Sequence, residues 1–153
     1  MSLKQKISED LKTAMKSGNE FEVGVLRMVI ASIHNKEIEK RGKGGEAVLT
    51  EDEVADVVVK EAKKRKESID IYKSGNREDL AKKESEELEI IKKYLPEQLS
   101  ETEIENIVEK AIKETNASTI KDLGKVMGIV SKETKGRADS KAISEIIKKK
   151  LGI

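Results

Sequence analysis

Hydrophobic positions recur at intervals of three and four over almost the whole chain. This spacing is typical of amphipathic α-helices, and no segment shows the alternation of a half-buried β-strand. The one strong interruption is Pro96, because proline cannot continue a helix. The sequence therefore predicts an all-α protein, with an N-terminal four-helix, bundle-like domain over residues 1–95 and a small three-helix C-terminal domain over residues 96–153.

Capping residues mark the first helix boundaries. Gly18 is expected to end the first helix and Asn19 to cap the second, and residues 41–45 are expected to form a flexible break. Thr50 and Glu53 form a capping box that opens a third helix. The apolar face predicted for the second helix consists of Phe21, Val25, Met28, Val29 and Ile33.

The third and fourth helices each carry a charged residue within an otherwise apolar face, namely Arg65 and Glu84. A tight turn at Gly75 and Asn76 is expected to end the third helix and cap the fourth, which makes the two helices neighbours. Because a buried charge needs a partner, the sequence predicts an ion pair between Arg65 and Glu84. A catalytic Glu84 would need a second acid or a metal beside it, and the sequence offers neither.

Similar signals divide the C-terminal domain. A capping box at Ser100 opens the fifth helix, Asn116 ends it, Gly136 is expected to end the sixth, and Asp139 to cap the seventh. The apolar face predicted for the sixth helix consists of Ile120, Leu123, Met127 and Val130.

Charge is balanced overall but polarised near the C-terminus. The chain has 31 basic and 30 acidic residues, which excludes a uniformly basic nucleic-acid clamp. Residues 97–114 nevertheless hold six acidic and two basic side chains, whereas residues 115–153 hold nine basic and four acidic ones. The C-terminal domain therefore combines one acidic helix with two basic ones.

Composition excludes several kinds of chemistry. With no cysteine and one histidine, His34, the chain has no disulfide, thiolate nucleophile or Cys/His metal cluster, and we predict no metal, cofactor or catalytic residue. Its three aromatic residues provide little for base stacking, so any RNA contact must use backbone and shape. No apolar run is long enough to span a membrane, and the N-terminus lacks the apolar region of a secretory signal. We therefore expect a soluble, cytoplasmic protein without membrane contact.

A cluster of basic residues and glycines marks the sixth helix and the segment after it. Positions 121, 125, 128 and 132 share one helical face, and two further basic residues follow directly. The candidate nucleic-acid-binding residues are Lys121, Gly124, Lys125, Gly128, Lys132, Lys135 and Arg137. The lysines are either phosphate contacts or the solvated face of a lysine-rich protein. The two glycines permit close approach either of a ligand backbone or of the fifth or seventh helix.

Several segments in fixed order resemble those of the GatB/YqeY family, and in particular its stand-alone YqeY-like members. They read LRMVIASI at 26–33, NKEI at 35–38, EAKKRKESI at 61–69, GNREDL at 75–80, YLPEQLS at 94–100, DLGKVMG at 122–128 and KGRAD at 135–139. The resemblance implies an all-helical protein with a helical N-terminal region and a three-helix C-terminal domain.

The resemblance also implies a link to tRNA. A similar helical region and tail are appended to the B subunit of the glutamine-dependent aminoacyl-tRNA amidotransferase, where they contact tRNA while other domains perform the chemistry. The family label is accordingly carbon–nitrogen ligase activity with glutamine as amido donor. This chain contains only the appended part, so the resemblance implies no independent catalysis. At residues 136–139 it reads Gly-Arg-Ala-Asp, where the amidotransferase tail has Gly-Lys-Ala-Asn.

The leading hypothesis is a non-catalytic protein of translation that binds tRNA or another structured RNA. One alternative is an accessory to a glutamine-dependent amidotransferase, distinguished by physical association with the catalytic subunits. The other is a protein–protein interaction module, whose partner binding would be insensitive to nuclease and to charge reversal at Lys125 and Lys132.

Overall fold

The computed structural model describes residues 1–46 and 48–153, and within them the regular secondary structure is entirely helical. The predicted all-α class is therefore confirmed. In chain order the helices are α1 Leu3–Ser17, α2 Glu20–Gly42, α3 Glu51–Ser74, α4 Glu78–Lys92, α5 Glu101–Thr115, a 3-10 helix Ile120–Asp122, α6 Leu123–Glu133 and α7 Ser140–Leu151.

Local capping accounts for most of these boundaries. Gly18 ends α1 in the left-handed conformation with φ of 72°, and the Asn19 side chain accepts a hydrogen bond from the amide of Glu22 at the start of α2. The capping boxes at Thr50 and Ser100 are present at the starts of α3 and α5. Each satisfies amide groups that the first turn of a helix leaves without a partner.

Contacts among the described residues divide into two compact units, Met1–Leu95 and Pro96–Ile153. The first unit consists of α1 to α4 around a core of aliphatic side chains from all four helices. The second consists of α5, α6, α7 and the 3-10 helix around a separate core. Its most deeply buried side chains are Val108, Val126, Val130, Ile143 and Ile147.

Two predicted apolar faces are partly wrong. In α2, Phe21 and Met28 remain 40% and 43% exposed, whereas the unpredicted Leu26 is fully buried. Before α6, Ile120 lies in the 3-10 helix and is 64% exposed, and Val126 is buried instead. The spacing in a sequence identifies an apolar stripe, but neighbouring helices determine which part of it they cover.

Some predicted boundaries also shift. Asn76 has a left-handed φ of 56°, and Arg77 takes the N-cap position of α4, so the expected cap at Asn76 is wrong. The α6 helix ends at Glu133, before Gly136, and the buried Thr134 hydroxyl donates a 2.8 Å hydrogen bond to the carbonyl of Val130. The second helix extends to Gly42, into the predicted break.

The buried cation Arg65 has different partners from the one predicted. Its Nη1 lies 2.8 Å from Oε2 of Glu61, one turn earlier on α3, and its Nε lies 3.5 Å from Oε2 of Glu87 on α4. The predicted Arg65–Glu84 pair is therefore wrong by one turn of α4. Because Glu84 and Glu87 are three residues apart, both lie toward α3, and side-chain packing selects between them.

Candidate nucleic-acid interface

The buried valines of α6 orient the predicted basic face toward solvent. Val126 and Val130 are fully buried in the core of the second unit. Positions 125, 128 and 132 lie on the opposite side of the helix, and Lys125, Gly128 and Lys132 are all exposed. The hydrophobic anchoring of α6 thus exposes the residues that the sequence singled out.

Lys121 precedes α6 in a turn that Asp122 holds in place. The Asp122 Oδ2 accepts hydrogen bonds from the amides of Ser118 at 2.9 Å and Thr119 at 3.1 Å. These two bonds lower the pKa of the Asp122 carboxyl, so it stays ionised and acts as a fixed acceptor. Lys121 is exposed in this ordered turn.

The lysines of this face form no close ion pairs, although the charge of Lys125 helps to lower the pKa of Asp122. Over residues 1–46 and 48–153, the side chains of Lys121, Lys125 and Lys132 make no ion pair or hydrogen bond. By contrast, Lys150 on α7 lies 2.7 Å from Oε1 of Glu109 on α5. The three ammonium groups therefore remain available to an external anion, and we call Lys121, Lys125 and Lys132 the lysine face.

Gly124 and Gly128 lie beside the lysine face, and their exposure argues against one of their two interpretations. A Cβ atom built on either residue would have no described atom within 4 Å beyond the local helix backbone. Neither α5 nor α7 therefore packs closely against them, so the helix-packing interpretation is not supported. Each glycine in a helix costs up to about 1 kcal/mol relative to alanine, and no packing contact offsets that cost here.

The remaining two basic residues lie on the segment after α6. Both Lys135 and Arg137 are exposed. The Arg137 Nε donates a 3.3 Å hydrogen bond to the carbonyl of Glu97, and its own carbonyl accepts one of 2.8 Å from the amide of Leu99. Arg137 is thus tied to the start of the second unit, whereas Lys125 and Lys132 share one side of α6 and Lys121 lies in the 3-10 helix just before it.

The described ranges contain no arrangement of three or more His, Asp or Glu side chains that would hold a metal ion. The single histidine, His34, lies on α2, where its Nδ1 is 3.0 Å from Oε2 of Glu37. No described helix is both long and apolar enough to cross a membrane.

The fold and this surface define a class: all-helical proteins of two compact units, the second bearing an exposed lysine face. Within that class, residues 4–151 match the family described as Yqey-like protein. The chain belongs to this family, as its sequence segments implied.

Three relatives share the name "Altered inheritance of mitochondria protein 41, mitochondrial". The one from Pyrenophora tritici-repentis is 30% identical over 150 residues, covering 96% of this chain and 80% of the relative. The one from Lachancea thermotolerans is 35% identical over 114 residues, covering 73% of this chain and 59% of the relative. The one from Saccharomyces cerevisiae is 37% identical over 106 residues, covering 67% of this chain and 55% of the relative. The chain thus spans little more than half the length of the last two relatives.

These names correct the predicted localisation. Each of the three relatives is named as a mitochondrial protein, so the prediction of a cytoplasmic protein is wrong. The prediction depended on the absence of an apolar secretory signal. That criterion does not bear on mitochondria, because mitochondrial transit peptides are amphipathic and arginine-rich rather than apolar.

Proposed function

We propose that this protein binds structured RNA of the tRNA class without catalysing a reaction, through phosphate contacts made by the lysine face. The observation that carries the proposal is the exposure of three lysines on and just before α6, without ion-pair partners among the described residues. Gly124 and Gly128 permit the RNA backbone to approach α6 closely. Lys135 and Arg137 extend the contact beyond the end of the helix.

The spacing of the lysine face suits a repeating polyanion. Seven residues of α-helix rise about 10.5 Å, so the ammonium groups of Lys125 and Lys132 reach different phosphates of one backbone. Each such contact releases counterions condensed on the nucleic acid, which favours binding at low salt. Phosphate contacts of this kind position a protein on RNA but do not read the base sequence.

The distribution of aromatic residues favours structured over single-stranded RNA. Phe21, Tyr72 and Tyr94 all belong to the first unit, and the second unit contains no aromatic residue. Proteins that bind single strands usually stack successive bases on aromatic rings. The second unit lacks such rings, so its recognition depends on the shape and phosphates of a folded RNA.

The decisive experiment is fluorescence anisotropy of labelled bulk tRNA over a salt series. The double variant Lys125→Glu and Lys132→Glu is expected to bind more weakly and to reduce the slope of log affinity against log salt by about two, because two phosphate contacts are lost. The matched control is Lys110→Glu with Lys113→Glu, which makes the same charge change at exposed positions of α5.

The outcomes of this experiment separate three interpretations. A reduced slope only in the α6 variant supports the lysine face as the RNA contact. Equal effects of both double variants would indicate attraction by net charge, not by this face. No binding of wild-type protein at low salt would exclude RNA binding, since electrostatic attraction is strongest there.

Membership of the Yqey-like family favours a second, narrower function. The tail of the amidotransferase B subunit, which this family resembles, suggests an accessory that assists a separate glutamine-dependent catalytic complex on aminoacyl-tRNA. The test is co-purification of the full chain with the catalytic subunits, repeated after nuclease treatment. Co-purification that survives nuclease treatment supports a direct protein contact. Co-purification that is lost after nuclease treatment indicates that the proteins are linked only by binding the same tRNA.

A further inference from the structure

One side of α2 carries an apolar strip that the first unit covers only in part, with the Sδ of Met28 3.8 Å from Nη2 of Arg65 on α3. Phe21 and Met28 are 40% and 43% exposed, and they lie three residues before and four residues after Gly24. At these intervals the three residues share one side of the helix. Gly24 is itself exposed, and no described atom beyond the local helix backbone would lie within 4 Å of a Cβ placed on it. We call Phe21, Gly24 and Met28 the α2 strip.

A hollow of about 440 Å³ adjoins the α2 strip between α1 and α2. Its apolar lining includes Ala14, Val23 and Met15, and the Met15 side chain is 52% exposed. The strip therefore combines two projecting side chains, a central glycine and an adjacent cavity. A helix from another molecule packs well on such a surface because glycine lets backbones approach closely.

Two opposite charges, Glu20 and Arg27, line this hollow together with Gly24. Glu20 lies four residues before Gly24 and Arg27 three residues after it, and both are exposed. Neither side chain has an ion-pair partner in the described part of the chain. The two are separated by about 10.5 Å along the same helix, a distance that prevents them from pairing with each other.

We infer that the α2 strip is an interface between two copies of this chain, paired antiparallel about a twofold axis at Gly24. In that arrangement Glu20 faces the partner's Arg27 and Phe21 faces the partner's Met28, and the axis repeats both contacts. The two glycines meet at the centre. The twofold rotation thus buries the apolar strip of both copies and gives Glu20 and Arg27 each a partner of opposite charge.

The charge pattern favours a second copy as the occupant. A twofold interface must be self-complementary, since the same patch faces itself after rotation. The acidic and apolar residues at positions −4 and −3 from Gly24 are matched by basic and apolar residues at positions +3 and +4. A parallel pairing would instead set Glu20 and Arg27 of one helix against the apolar residues of the other, which buries both charges without partners.

Sedimentation velocity of the full chain over a concentration series tests this interface. We expect wild-type protein to form a dimer. The single variants Glu20→Arg and Arg27→Glu should each raise the dissociation constant by about a hundredfold, because each creates two repulsive contacts per dimer. The double variant Glu20→Arg with Arg27→Glu restores opposite charges across the axis and should restore the dimer. The control Lys63→Glu, an exposed position on α3, should leave it unchanged.

A glycine variant separates association from folding. The Cβ of Gly24→Leu meets no described atom of the single chain beyond the local helix backbone, and leucine improves helix propensity, so the thermal midpoint should stay the same or rise. The dimer should nevertheless be lost, because the leucine blocks the close approach of the two helices. A monomeric wild-type protein at all concentrations overturns the inference. A dimer that survives Gly24→Leu and both single charge reversals also overturns it, since the interface then lies elsewhere.

Discussion

The hydroxyl of Tyr94 donates a 2.6 Å hydrogen bond to Oδ2 of Asp10 and so joins the chain just after α4 to α1. Tyr94 is only 4% exposed and belongs to the core of the first unit. The Nζ of Lys6 lies 5.7 Å from the centroid of its ring. A residue 84 positions from its partner thus helps to hold α1 on the bundle.

Replacing Tyr94 with phenylalanine tests the value of this bond. Tyr94→Phe keeps the buried ring but removes the donor, so the free energy of unfolding should fall by about 2 kcal/mol, which is typical of a hydrogen bond to a charged group. Urea unfolding measures the change. The control Tyr72→Phe removes a hydroxyl with no hydrogen bond in the described residues and should change stability by less than about 0.5 kcal/mol. Equal losses in both variants would contradict a specific role for Tyr94.

The buried hydroxyl of Tyr94 should also make the protein less stable at alkaline pH. Burial, and secondarily the hydrogen bond to Asp10, raise the pKa of Tyr94 well above its ordinary value. Above about pH 10 the unfolded phenol ionises while the folded one keeps its proton, so the free energy of unfolding falls as pH rises. Urea unfolding of Tyr72→Phe at a series of pH values from about 8 to 11 measures this slope. In the double variant Tyr72→Phe with Tyr94→Phe, the free energy of unfolding should depend less on pH. An unchanged pH dependence would mean that other groups cause the loss of stability.

A buried charge cluster joins α2, α3 and α4 around Arg65. The Ser32 hydroxyl donates a 2.9 Å hydrogen bond to Oε1 of Glu61, whose other oxygen binds Arg65. Burial opposes ionisation of Glu61, but hydrogen bonds from Ser32 and Lys64 outweigh it and lower the pKa. Burial raises the pKa of Glu87, which Arg65 only partly offsets.

Removing the cation should destabilise the first unit in a pH-dependent way. Arg65→Met leaves the carboxylates of Glu61 and Glu87 buried without their counterion, and we expect a loss of about 3–5 kcal/mol at neutral pH. The loss should shrink at about pH 4, because both carboxyls then gain protons and lose their charge. Urea unfolding at both pH values measures it. Glu84→Gln serves as the control for the pair predicted from sequence and should be neutral or slightly stabilising, since Glu84 repels Glu87.

The exposed glycines of α6 predict opposite effects on stability and binding. Gly124→Ala and Gly128→Ala should each stabilise the chain by up to about 1 kcal/mol, because alanine favours the helix and meets no neighbour. The same variants should weaken tRNA binding if the RNA backbone approaches the helix at these positions. Thermal unfolding and anisotropy measure the two effects. Stabilised variants that bind tRNA as well as wild type would remove the glycines from the site.

The division at Pro96 predicts that the first unit folds alone. A fragment of residues 1–95 retains the complete core of that unit and should unfold in one cooperative transition. Circular dichroism during thermal unfolding measures this. A fragment without a cooperative transition would show that the two predicted domains depend on each other for stability.

Local sequence determined the helices of this protein and most of their ends. The capping boxes at Thr50 and Ser100, the cap at Asn19 and the end of α1 at Gly18 are all as predicted, because each depends on residues within one helical turn. The candidate basic face was predictable for the same reason. Its residues share one helix or flank it, so their spacing alone places them together.

Only the tertiary structure decided which neighbours these helices meet. Sequence spacing did not distinguish Glu84 from Glu87 as the partner of Arg65, nor predict that Phe21 and Met28 would remain exposed. It also did not reveal the contact between Asp10 and Tyr94. Each of these contacts depends on how far one helix is rotated and shifted against another. A rotation of a few tens of degrees changes which side chains are covered, and packing across the whole unit sets that rotation.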